Sequence, residues 1–344
     1  MEDESSTRRG LVSVAVGNTT TRMVLWRSQA EEGIVVCTGE TASLKSDLSE
    51  GEALRQHPSF PPSTNTSRTG GHAVDVVIGG GSVPAVEVLL HDALSREGPP
   101  FAQVRLLHRS ADQQHDAAEI DERSRARLVE ELGLRVKPSP SWRVGKDRLC
   151  AALGALALDP HQSPAEDTAW VVVDSGTALT VNVVLPSPKA AWPEVGVFEG
   201  GLIMPGEGLM LRSLSSGTAQ LPSLTYWPAS IPPPLVGLST EEAIRAGVRH
   251  LHVKGAVAVV KAVAADLERR RPPDGSERPL QVRVAVTGGG GAELVEALEA
   301  DAREYRPLYD PLLVHRGLRA AWRLHADGSA RRPRYDGGSG DNAL

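Results

Sequence analysis

Alternating strands and helices in two related halves, an α/β protein, is the fold class this sequence predicts. Short β-branched runs alternate with Ala- and Leu-rich helical stretches along the chain. A strand, a Gly/Thr-rich turn and a second strand open the chain, and the same arrangement returns in its middle. With 344 residues, 40% of them hydrophobic, two domains of ordinary size can each bury a core.

Residues 11–16 and 22–26 read as strands joined by Gly17-Asn18-Thr19-Thr20-Thr21. Residues 74–78 read as a buried strand before Gly79-Gly80-Gly81, and 85–93 as a helix. A short strand over 104–107, a helix end over 128–132 and an Ala-rich helix over 147–158 complete the first half. The second half opens on strands at 169–173 and 178–185 around Asp174-Ser175-Gly176-Thr177. Helices are expected over 208–214, 240–253 and 256–269. A strand over 282–286 runs into Thr287-Gly288-Gly289-Gly290-Gly291 and a helix over 292–300. This divides the chain into an N-terminal domain (10–158) and a C-terminal domain (168–325). Residues 41–71, rich in Ser, Thr, Gly and Pro without apolar periodicity, read as a mobile insertion, and 331–344 as a disordered tail.

Composition excludes several function classes. Lys+Arg 37 against Asp+Glu 43 leaves a net charge of −6, so no basic field favours nucleic acid or an anionic membrane. No run reaches the ~20 apolar residues of a membrane span. The start, Met1-Glu2-Asp3-Glu4, is acidic where a signal peptide is basic and then apolar. Cys37 and Cys150 fit neither a disulfide framework nor a zinc knuckle, so a reducing cytoplasm is the expected compartment. Histidines in H-x-x-x-H or H-E-x-x-H spacing are lacking; His250 and His252 read as structural or exposed, and Cys150 as a small buried residue.

The glycine-rich turns carry the chemistry. Glycine admits positive φ and close approach, so the Gly17 turn can aim backbone N–H groups and Thr hydroxyls at a phosphate. An ordinary hairpin turn has the same residues. The Asp174 turn adds a carboxylate that suits a cation, or one that accepts local backbone hydrogen bonds. The run 287–291 sits where a strand enters a helix, an anion-binding position. It lacks the spacing of a Rossmann loop and the G-K-[ST] ending of a Walker A loop.

Taken together, these turns resemble the actin-like, acetate-and-sugar-kinase superfamily, and the residues around them resemble one family within it. Gly17-Asn18-Thr19 with Arg22 is similar to the D-x-G-N-T-x-x-[KR] loop of type III pantothenate kinases. Gly145-Lys146-Asp147-Arg148 matches their G-x-D-R loop, and Asp174-Ser175-Gly176-Thr177-Ala178-Leu179-Thr180 their D-x-G-T-A-x-T segment. Gly200-Gly201 with Pro205-Gly206, Thr218-Ala219-Gln220-Leu221-Pro222, 240–247, Thr287-Gly288-Gly289 and Ser82-Val83-Pro84 extend the match in order.

The resemblance implies two similar actin-like (ribonuclease H-like) domains with an active-site cleft between them. It further implies ATP-dependent phosphorylation of pantothenate to 4'-phosphopantothenate, the first step of coenzyme A biosynthesis, in a homodimer. ATP would be the phosphoryl donor, with Mg²⁺ and a monovalent cation, K⁺ or NH₄⁺. Asp147 would be the base facing the substrate hydroxyl, within a substrate loop of Gly145, Lys146, Asp147 and Arg148, and Thr218 would contact pantothenate. Ala15, Val16, Gly17, Asn18, Thr19, Thr20, Thr21, Arg22 and Thr177 would meet ATP, and Asp174 the monovalent cation. Three positions depart from the family. Ala15 replaces an Asp that helps hold the Mg²⁺ water shell, Asn182 stands where Asp is frequent, and Pro138 where a Tyr lines the pantothenate pocket, with Trp142 close by. Two alternatives follow: a degenerate kinase fold with a binding or regulatory role, or a kinase for another small hydroxylated substrate.

Overall fold

The computed structural model describes residues 10–16, 20–26, 33–40, 74–79, 101–106, 132–137, 144–158, 168–191, 194–226, 231, 233–270 and 280–331. The first half contributes five strands: β1 (Gly10–Val16), β2 (Thr20–Trp26), β3 (Gly33–Glu40), β4 (Val74–Gly79) and β5 (Phe101–Leu106). They lie in the order β3-β2-β1-β4-β5. The first three strands form an antiparallel meander, and β4 and β5 run parallel to β1.

After β6 (Leu134–Val136) and α1 (Lys146–Leu156), the second half repeats the plan. Its strands are β7 (Thr168–Ser175), β8 (Ala178–Ala191), β9 (Glu194–Pro205), β10 (Gln281–Thr287) and β11 (Leu308–Tyr309). The sheet order is β11-β10-β7-β8-β9-β6. Again three strands form an antiparallel meander, and two more continue parallel to the first. Strand β6 adds to the β9 edge in parallel. The order shared by the five-strand sheet and by five strands of the six-strand sheet is the actin-like architecture, and it makes the halves structurally related.

Four helices complete the second half and the C-terminus: α2 (Glu207–Gly217), α3 (Thr240–Glu268), α4 (Gly291–Asp301) and α5 (Leu313–Arg331). Side-chain alternation shows how they layer. In β7, Ala169, Val171 and Val173 face one core with residues of α3 and α4, such as Val260 and Leu294. Trp170 and Val172 face the other core with α1 and α5. That second core also takes in Leu11, Val24 and Trp26 of the first sheet, so α1 and α5 form the apolar layer joining the halves. Helix α1 is accordingly buried from Leu149 through Ala155.

Several expectations change. The helices read separately over 240–253 and 256–269 are one 29-residue helix, α3. Gly255 lowers helix propensity by about 1 kcal/mol but does not break a helix whose neighbours pack on both sides of it. Strand β8 runs past residue 185 to Ala191, and β9 accompanies it despite its glycines. A register shift between Val183 and Val184 leaves Glu199 unpaired between Phe198 and Gly200, a bulge that Gly200 accommodates with φ +117°. The helix read over 85–93, the insertion over 41–71 and Ser82-Val83-Pro84 lie outside the described residues, as does nearly all of the tail, whose first residue, Arg331, ends α5.

Candidate active site

Asp147 is placed by the start of α1. Gly145 caps that helix without a side chain, and the Asp147 carboxylate curls back over it. A Cβ on Gly145 would stand 2.3 Å from Asp147 Oδ1, so the loop needs glycine there for close approach. The same oxygen accepts the Arg148 backbone N–H at 2.8 Å, as a carboxylate at a helix N-terminus does. Burial nevertheless raises the Asp147 carboxyl above its ordinary range, with the Arg148 hydrogen bond and charge opposing. Arg148 points its Nε at Asn182 Oδ1 (2.6 Å) and lies over the Phe198 ring at 5.5 Å. Asn182 is fully buried and donates Nδ2 to Thr180 Oγ1 at 3.0 Å. The neutral side chain at 182 is thus a built-in partner of Arg148.

Asp174 ends the apolar part of β7. Its carboxyl is raised to about 6, first by burial and then by the negative charge of Asp147. The two carboxylates therefore lie near enough to feel each other's charge. Gly288, with φ +87°, closes over Asp174: a Cβ there would meet Asp174 Oδ1 at 2.5 Å and Ser175 O at 2.6 Å. Gly290 N–H donates to Ser175 O at 3.0 Å, which ties the N-terminus of α4 to the β7–β8 turn. Thr177 is exposed at the tip of that turn, and its carbonyl accepts from Gly206 N–H at 3.2 Å.

The first half reaches this region through Arg22. Its Nη1 donates to Pro311 O at 3.1 Å, and its charge acts on Tyr309, which also feels Asp174. Tyr309 Oη in turn donates to Gly288 O at 3.1 Å. Ala15 pairs across β1–β2 with Arg22 and packs against the core that α1 and α5 share. Val16, Thr20 and Thr21 are placed by the backbone of β1 and β2, while Gly17, Asn18, Thr19, Pro138 and Trp142 lie outside the described residues. Asp147, Arg148, Asp174 and Arg22 are thus linked to one region by contact or charge. Gly145 and Lys146 accompany Asp147 at the start of α1.

Thr218 ends α2, exposed, with its hydroxyl donating to Leu214 O at 2.7 Å. Cys150 is buried, as expected of a small residue there. No group of three or more His, Cys, Asp or Glu side chains suited to a metal ion occurs among the described residues. Among those residues no helix is long and apolar enough to cross a membrane.

Sequence reasoning missed two members of this neighbourhood. Tyr309 carried no signal, because a two-residue strand has no detectable period. His252, read as structural or exposed, is buried and shares a hydrogen bond with Ser175 Oγ at 3.0 Å. The small residue inside the D-x-G-T segment was the available hint.

Residues 107–264 match the family model of type III pantothenate kinase. A type III pantothenate kinase from Hyphomonas neptunium is 31% identical over 191 residues, 56% of this chain and 62% of that protein. One from Chlorobium luteolum is 32% identical over 194 residues, with the same shares covered. The matched part thus spans about three fifths of these relatives' length. Among solved structures, a protein named as a 2-dehydro-3-deoxygalactonokinase from Sinorhizobium meliloti gives a TM-score of 0.46 at 15% identity, covering 92% of this chain and 99% of that one. The matched segment carries the Asp147 loop, the Asp174 turn and Thr218, whereas the Arg22 turn and Gly288 lie beyond it. Over residues 107–264 this chain is similar in sequence to the type III pantothenate kinases.

Proposed function

We propose that the protein transfers the γ-phosphoryl group of ATP to the hydroxyl of pantothenate, with the cleft between the halves as the reaction site. The observation that carries the reading is that two motifs converge: Gly288 closes over Asp174 in the β7–β8 turn, and Asp147 of the Gly145–Arg148 loop lies near enough for its charge to raise the Asp174 carboxyl. Phosphoryl transfer depends mainly on positioning and charge neutralisation. The N–H groups of Gly176, Gly290 and Gly291 hold their own turns together, so the phosphates would meet the Gly288–Gly289 turn and the first turn of α4, where the helix N-terminus favours an anion. Asp147 orients the substrate hydroxyl and accepts its proton late in the transfer. Its raised carboxyl brings it nearer the working pH of a general base. Arg148, held by Asn182 and Phe198, offers a fixed cation to the pantothenate carboxylate.

The residues suit the cations that such a reaction uses. A monovalent cation held by Asp174 would neutralise the like-charge pair, and Mg²⁺ would arrive on the ATP phosphates, bringing charge stabilisation. Retaining few carboxylates of its own is ordinary for a Mg²⁺–nucleotide site. The Ala15 position therefore leaves Mg²⁺ more dependent on the phosphates.

A homodimer fits the surface. The large exposed apolar side chains among the described residues all lie between positions 202 and 251, including Ile203, Leu235, Val236, Leu238 and Leu251. An apolar region of that kind suits a protein interface, and Thr218 lies within the same stretch of chain. Pantothenate-dependent ADP release, faster in K⁺ than in Na⁺, is the test. A chain that binds ATP yet releases no ADP with pantothenate under saturating Mg²⁺ and K⁺ favours the regulatory alternative. Turnover only with another hydroxylated acceptor favours the other kinase.

A further inference from the structure

His252 stands apart from every residue to which the family resemblance gives a role. It lies on α3, is 6% exposed, and reaches from the helix layer to the β7–β8 turn, where its Nε2 meets Ser175 Oγ at 3.0 Å. Its other ring nitrogen, Nδ1, is buried with no hydrogen-bond partner. Leaving a buried polar atom unpaired is unfavourable, so packing alone would prefer an apolar side chain here. The bond to Ser175 is what the imidazole supplies.

Ser175 is well placed to use it. Its neighbours in the turn are Asp174 and Gly176, its carbonyl accepts from Gly290 N–H, and its Oγ lies where a Cβ on Gly290 would come within 2.5 Å. One residue therefore touches both glycine turns and follows the buried carboxylate. Arg249, one turn earlier on α3, bonds to Glu293 in the first turn of α4 and to Glu207 at the start of α2. That ion cluster fixes α3 against α4, so His252 acts from a rigid support. Burial, and then the Arg249 charge, hold the imidazole below its ordinary pKa, hence neutral and able to accept or donate toward a hydroxyl.

We infer that His252 is a positioning residue for the nucleotide phosphates: through Ser175 it sets the β7–β8 turn against the Gly288–Gly290 turn and the N-terminus of α4. This rests on the ATP-binding reading above. It does not concern the acceptor substrate, whose loop at Gly145 to Arg148 lies on a different element.

The test compares wild type, His252→Leu, His252→Gln, Ser175→Ala and the Leu/Ala double variant in the full chain. Nucleotide affinity is read with a fluorescent ATP analogue without pantothenate, and the two KM values by ADP release. His252→Leu should weaken nucleotide binding and raise KM for ATP about tenfold, the scale of one buried hydrogen bond, with KM for pantothenate within about twofold. His252→Gln, whose amide nitrogen can take the place of Nε2, should recover most of that loss. Ser175→Ala should resemble His252→Leu, and the double variant should be no worse than either single one. Unchanged nucleotide affinity in a folded His252→Leu, parallel rises in both KM values, or a Gln variant as impaired as Leu overturns the inference. Should His252→Leu fail to fold, Ser175→Ala decides alone by the same readings. Wild type that binds no nucleotide overturns the functional reading itself and the inference with it.

Discussion

Asp174 brings burial, charge and function together at a single carboxyl. Its folded pKa of about 6 lies above the ordinary carboxylate value of 3.8, so the folded chain holds the proton more tightly than the unfolded one. Stability from this group is therefore present at low pH and declines as pH rises from about 4 to about 6. Asp174→Asn removes that decline. The variant should melt at a higher temperature than wild type at pH 7.5, with the gap closing by pH 4. Adding K⁺ should raise the wild-type melting temperature at pH 7.5 and leave the variant's unchanged. Melting curves at the two pH values, with and without K⁺, check this; a gap independent of pH contradicts it. Asp147 and Asp174 were legible in the sequence because each sits in a short motif with its glycine beside it. Asn182 was legible only as a missing charge, since its bond to Arg148 spans 34 positions. His252 and Ser175, 77 positions apart, left no local pattern at all.

Among the elements, α1 and α5 cross at backbone distance, and glycines permit it. A Cβ on Gly317 would lie 1.8 Å from Cys150 O, and one on Gly154 would lie 2.0 Å from Leu313 O. Gly317→Ala gains about 1 kcal/mol of helix propensity, but it forces apart two helices that pack on both sheets. Overpacking of that kind destabilises by about 1–3 kcal/mol and prevails here, because the obstructing atoms are backbone. Gly255→Ala, inside α3, meets nothing nearer than Leu251 Cδ1 at 3.9 Å and should stabilise by about 0.5–1 kcal/mol. Urea unfolding of the two variants should move in opposite directions, and a stable Gly317→Ala protein would contradict the crossing. Strands β1, β2, β4, β7 and β10 were readable from their runs of Val, Ile and Leu, whereas β3, with Ile34-Val35-Val36, was not read. Strand β9 was not, because Gly196, Gly200 and Gly201 serve close approach and the bulge rather than β-propensity. Helix α5 was missed because its polar members, His315 and Arg319, are buried within the layer between the sheets.

The molecule as a whole is two copies of one strand plan joined by that helix layer. The sequence announced the repetition through its two strand–turn–strand openings, but not how the halves meet. That contact rests on partners far apart in the chain. Trp26 Nε1 donates to Ser13 Oγ, which shares a hydrogen bond with His315 Nδ1 at 3.0 Å. Burial first, and then the Arg22 charge, hold the His315 imidazole down at about 3, so this join between β1 and α5 stays neutral. Arg22 to Pro311 O adds a second contact between the halves, and Tyr309 to Gly288 O leads from it to the Asp174 turn. That Asp147 faces a hydroxyl acceptor beside bound ATP is tested most directly by comparing wild type with Asp147→Asn. The assay is ADP release at saturating ATP, Mg²⁺ and K⁺, with and without pantothenate. Wild type should release ADP only with pantothenate, and Asp147→Asn should bind ATP as tightly while turning over about 10²–10⁴-fold more slowly. Wild-type rates in Asp147→Asn, or ADP release indifferent to pantothenate, would contradict the account.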